Sequence, residues 1–125
     1  MQGVLAGKIT DSKYDTESSY ILVGGKSVSE FVSRFSHRKV WCIWVVSDTF
    51  ITPERATMMG VERAIGVALA TRGDVFSDPT GYLWTDDEGK IGGHDIAAAI
   101  ACHAGKYAFI VIRQDQIDLS KITFE

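Results

Sequence analysis

Two stretches of the chain carry apolar residues with no polar alternation: residues 40–46, Val-Trp-Cys-Ile-Trp-Val-Val, and residues 107–112, Tyr-Ala-Phe-Ile-Val-Ile. A strand with one wet face alternates apolar and polar side chains, so an unbroken β-branched and aromatic run predicts a strand covered on both faces. Neither stretch approaches the ~20 residues needed to span a bilayer. Both are expected inside a sheet with helices packed on it, and residues 40–46 are the expected central strand. A chain of 125 residues with 46% hydrophobic content has room for one such core, so residues 1–125 are read as a single domain.

The remaining elements follow from shorter signals. Residues 4–9 read as a strand, and the polar residues 11–19 turn the chain back into residues 20–23 as a hairpin. Ser27-Val28-Ser29-Glu30 has the form of a capping box, so a helix begins there, with Phe31, Val32 and Phe35 on one face. Arg34, His37, Arg38 and Lys39 then mark its C-terminal end, where cations offset the macrodipole. Thr52-Pro53-Glu54 predicts the start of a long helix over residues 53–72, stopped by Gly73. Within it Ala56, Gly60, Ala64 and Ala68 recur every four residues as a smooth ridge. That ridge, with many large apolar residues in so short a chain, predicts self-association as a homodimer.

Asp78-Pro79-Thr80-Gly81 is a turn signal, and residues 82–85 and 90–91 suggest a short hairpin. A third helix is expected from about Asp95 through Ala104, ended by Gly105, and residues 122–124 as a short edge strand. The order strand, strand, helix, strand, helix, hairpin, helix, strand implies an α/β fold, with α+β as the alternative. The expected architecture is a mixed sheet of about five to six strands with about three packed helices, including some parallel pairing through right-handed crossovers.

Lys and Arg number 13 against 16 Asp and Glu, a net charge of -3, so nothing draws the whole chain to extended nucleic acid or an anionic membrane. The N-terminal residues lack the basic and apolar regions of a secretory signal, which points to the cytoplasm. Cys42 and Cys102 sit in apolar segments, where reduced thiols behave as small hydrophobes.

Two segments share a layout: Ile21-Leu22-Val23-Gly24-Gly25-Lys26-Ser27 and Ile91-Gly92-Gly93-His94-Asp95 both lead into an expected helix. Glycines before a helix let backbone amides approach an anion, and Lys26 and His94 add charge, so both are candidate phosphate sites. The competing explanation is that the glycines only make tight turns. A Walker A loop does not fit, because Tyr20 stands where its first glycine belongs. Gly92-Gly93-His94-Asp95-Ile96-Ala97-Ala98 resembles the short Gly-Gly-His motif in the accessory domain of DHH phosphoesterases, which implies a place for a phosphate-bearing substrate. That family's metal-binding carboxylate and histidine cluster has no counterpart here, and Ala99 stands where it has glycine.

Ser47 and Asp48 follow the central strand and Arg113 ends the last one. Were the two strands parallel neighbours, these residues would meet at one crevice, where Arg113 could pair with phosphate and Asp48 with a ribose hydroxyl. The alternative is a structural Asp–Arg pair at the sheet rim. Metal sites fail on spacing, because His94 and Cys102 lie two helical turns apart and His103 points away from its neighbour. Asp86, Asp87 and Glu88 read as a solvated turn, and Trp41, Trp44, Met58 and Met59 as core or subunit interface. The first functional reading is thus a non-catalytic binder of a small phosphate-containing ligand, such as a nucleotide or nucleotide-derived signal, held at glycine-led helix N-termini without metal or cofactor. A protein-interaction module of inhibitor or immunity type is the alternative. A small phosphoesterase-like enzyme using His94 and Asp95 for proton transfer comes third, since no nucleophile is identifiable.

Overall fold

The computed structural model describes residues 2–12, 20–71, 74–76, 83–85, 90–115 and 117–122. Among them the strands are β1 (Gln2–Ser12), β2 (Tyr20–Val23), β3 (Lys26–Ser27), β4 (Lys39–Ser47), β5 (Asp74–Phe76), β6 (Leu83–Trp84), β7 (Lys90–Ile91), β8 (His94–Asp95) and β9 (Tyr107–Arg113). The helices are α1 (Val28–Ser33), α2 (Pro53–Met59), α3 (Val61–Ala70) and α4 (Ile96–Ala101), with a 3₁₀ turn at Leu119–Lys121. The main sheet runs β3-β2-β1-β9-β4-β5, β6 adds to β4, and β7 pairs with β8 apart from it.

The two apolar runs are neighbours, with β4 paired to β9 from Trp41 opposite Arg113 to Ser47 opposite Tyr107. Their side chains alternate between two cores. Val40, Cys42 and Val46 of β4 join Ala108, Ile110 and Ile112 of β9 on one face, beneath Val28, Phe31 and Val32 of α1 and Ile96 and Ile100 of α4. Trp41, Ile43 and Val45 join Phe109 and Val111 on the other, beneath Ala56 of α2 and Val61, Ala64, Ile65 and Ala68 of α3. The result is a single α+β domain with helices on both sheet faces, as the unbroken apolar runs require.

The direction of pairing corrects the sequence expectation, because every described strand pair is antiparallel. Two-sided burial is commonest in parallel sheets, but it reports only what covers a strand, not which way its neighbour runs. The expected helix over residues 53–72 is also two helices. Gly60 adopts φ 83° and ψ 146°, which ends α2 and starts α3. Thr52 caps α2 by accepting from the Arg55 amide, as expected. The ridge residues Ala56, Ala64 and Ala68 are buried against the sheet of their own chain, so the ridge is not a free surface for a second copy. Met58, expected in a core or interface, is 89% exposed on α2. Gly73, the 78–81 turn, the 86–88 acidic turn and residues 123–124 lie outside the described residues, and Ile122 is not in a strand.

One close approach shapes the sheet. The β2–β3 turn sits directly on β1: a Cβ on Gly7 would fall inside the Gly24 backbone, and one on Gly24 would lie 2.7 Å from the Ala6 carbonyl oxygen. Gly93, at φ +81° in the β7–β8 turn, has open space around its Cβ position. Replacing Gly93 with Ala should therefore cost only the strain of positive φ, about 1–2 kcal/mol. Gly7→Ala adds a backbone clash and should cost at least about 2 kcal/mol more. Urea unfolding of both variants measures the gap, and equal costs would mean the turn lifts freely off β1.

The two cysteines divide. Cys42 is buried in β4, and burial pushes its thiol well above the usual range, whereas Cys102 is exposed where α4 ends, its Sγ donating to the Ala99 carbonyl at 3.5 Å. The expectation of two apolar-segment thiols thus holds only for Cys42. A maleimide reagent should label Cys102 in the folded protein and Cys42 only after denaturation; rapid labelling of both in native buffer would contradict this packing.

Candidate binding site

The two glycine-led segments prove to be copies of one structural unit. Gly24 and Gly25 have φ 59° and 80°, Gly92 and Gly93 have 58° and 81°, and each pair joins two short antiparallel strands. Positive φ at both central residues is the mark of a type I′ hairpin turn, which needs glycine or asparagine. The next residue but one then caps a helix: Ser27 Oγ accepts from the Glu30 amide at 3.3 Å, and Asp95 Oδ1 from the Ala98 amide at 3.2 Å. Val28 and Val32 in α1 match Ile96 and Ile100 in α4 as the buried positions, and both helices lie on the same sheet face. Shared spacing is legible in the sequence, but only the pairing shows that it is a repeated hairpin-cap-helix unit.

This geometry accounts for both glycine pairs as turns. Each helix is one and a half turns long and one of its first amides is already capped, so neither offers the strong N-terminal field expected from the sequence. The position of the caps is more informative. Ser27 lines two grooves. One, of about 300 Å³, lies between β1 and α1 and is bounded by Val4, Leu5, Gly25, Lys26, Glu30, Phe31 and Arg34 as well. The other, of about 360 Å³, brings Ser27 and Asp95 together with Asp11, Ser29 and the alanines of α4. Its two carboxylates repel a phosphate, while the first groove offers two cations against one carboxylate. Gly92, Gly93 and His94 are exposed and border neither groove.

Ser47, Asp48 and Arg113 do not form a crevice. In the antiparallel register Ser47 lies at the Tyr107 end of β9 and Arg113 at the Trp41 end of β4, six residues apart, or roughly 20 Å at ~3.4 Å per residue. Ser47 Oγ is engaged locally, donating to the Thr49 carbonyl at 2.6 Å and accepting from the Thr49 amide at 3.3 Å, and Asp48 is exposed beside it. Arg113 is paired, but with Glu62 in the first turn of α3 at 2.7 Å rather than with an aspartate. The two residues that the sequence reading missed are Arg34 and Glu30. The sequence reads Arg34 as part of a helix end; its spacing of four from Glu30 is the sign that both share one face of α1. Among the described residues no helix is long and apolar enough to cross a membrane. No protein-family model, curated protein or solved structure matches the chain.

The Glu62–Arg113 pair, which borders neither groove, gives the fold's stability a pH dependence. Partial burial acts to raise the Glu62 carboxyl, but its own backbone amide, Arg113 and the charge of Lys121 outweigh this and hold it below the ordinary value of 4.5. A carboxyl depressed in the folded state contributes stability above its unfolded value and loses it as pH falls through the folded value. Glu62→Gln should thus destabilise by up to about 1 kcal/mol at neutral pH, with the difference from wild type shrinking below pH ~4. Melting curves at several pH values check it, and a constant difference would assign the loss to packing instead.

Proposed function

We propose that the protein is a non-catalytic binder of a small phosphate-containing ligand, such as a nucleotide, and that the groove between β1 and α1 receives it. The observation carrying this reading is that Lys26 and Arg34, from different elements, line the same groove of about 300 Å³. That volume is at the lower end of the range for small-molecule sites, roughly 300–1,000 Å³. Gly25 adds a backbone that a ligand can approach closely, because a Cβ there would meet nothing within 4 Å. Arg34 suits bidentate pairing with phosphate and Lys26 acts as a point charge. Two free thiols accord with a reducing, cytoplasmic setting.

A thermal-shift panel of nucleotides, nucleotide-derived signals and inorganic phosphate tests the ligand reading. Lys26→Ala and Arg34→Ala should each weaken binding of a stabilising compound by roughly tenfold or more, the range for charged hydrogen bonds. Gly93→Ala should leave affinity unchanged. Binding that survives loss of both cations, or a panel without a stabilising compound, would overturn the assignment.

A further inference from the structure

The first half of β1 is paired on one side only. Gln2 to Lys8 bond to β9, but β2 covers the opposite side only from Ile9 to Ser12, and the Gly24 amide reaches no further than the Lys8 carbonyl. Alternation along the strand turns the backbone groups of Val4 and Ala6 to the same side as that carbonyl. Among the described residues no strand pairs with them. Edges of this kind are ordinarily guarded by a charge, a proline or a very short strand. Residues 2–7, Gln-Gly-Val-Leu-Ala-Gly, have no charge and no proline, whereas the outer strands β3 and β5 are two and three residues long.

Apart from the ligand reading, and in competition with it for the groove that Val4 and Arg34 line, we infer that a second copy of this chain adds its own β1 to this edge, the two strands running antiparallel about a two-fold axis near Val4. The charges beside the edge are what select a second copy over another extended segment. Glu30 and Arg34 lie one helical turn apart on α1, line the groove beside Val4 and Leu5, and are exposed without an ion-pair partner among the described residues. The two-fold axis of an antiparallel pairing stands perpendicular to the joined sheet, so the two α1 helices fall on the same face. Each Glu30 then faces the partner's Arg34, and the reverse, which is the self-complementarity that a two-fold contact demands. An extended segment of the same chain is the competing occupant, and it would leave the protein monomeric.

Sedimentation equilibrium of the full chain without ligand reads the proposal directly, so a negative result leaves the ligand reading intact. Wild type should sediment as a dimer at high micromolar concentration. Val4→Pro should be folded by circular dichroism yet monomeric, since the amide it removes faces away from β9 and proline is tolerated on an open edge. Glu30→Arg and Arg34→Glu should each raise the dimer dissociation constant about tenfold or more by opposing like charges, and the double variant should restore it. That charge exchange decides the matter even if Val4→Pro fails to fold. A monomeric wild type, or a dimer indifferent to both single charge reversals, would overturn the proposal.

Discussion

Everything in this fold hangs on the ladder between β4 and β9. Seven paired positions join the two most apolar segments of the chain, and each strand sends alternate side chains into separate cores. Removing one large aliphatic side chain from such a core typically costs about 2–5 kcal/mol. The helices gain little from their own hydrogen bonds at this length, since isolated helices shorter than ~12–15 residues are marginal in water. α1 and α4, six residues each, exist because Val28, Val32, Ile96 and Ile100 have the ladder's upper face to bury against.

What the sequence makes legible is therefore burial, and what it hides is direction and convergence. An apolar run records both faces of a strand, so the core and the helices covering it could be read from residues 40–46 and 107–112. Strand direction depends on how the connections route, which leaves no mark on the run itself, and the expected crevice of Ser47, Asp48 and Arg113 depended on that routing. Gly60 shows a related limit. Its cost inside a helix, about 1 kcal/mol, is too small to decide between a tolerated glycine and a break. The decision falls to tertiary packing, where a φ of 83° lets α2 and α3 each present alanines to the sheet.

The candidate site was half legible for the same reason. Gly25, Lys26 and Ser27 are contiguous, so their nearness needed no fold, and they do reach the groove. Arg34 reaches it only because α1 lies across β1, a fact of packing. The second glycine pair looks equivalent in sequence and is equivalent in backbone form, yet it borders neither of the two grooves, and a Cβ on Gly93 would meet nothing within 4 Å. A local motif fixes a local conformation, and the neighbour it faces is decided elsewhere.

That difference between the two copies of the hairpin unit is also what produces the open surface. In the first copy the turn is pressed onto β1, with Gly24 against Gly7 and Ala6, which ends β2 at Val23 and stops it from covering β1 any further. The strand space beyond the turn is left vacant, walled by α1 on one side and the turn on the other. The groove with its two cations and the unpaired backbone of Val4 and Ala6 are thus two results of one contact between glycines. A side chain at either glycine would meet backbone within 2.7 Å and push the turn off β1, and with it Gly25, Lys26 and Ser27, which form one wall of the groove.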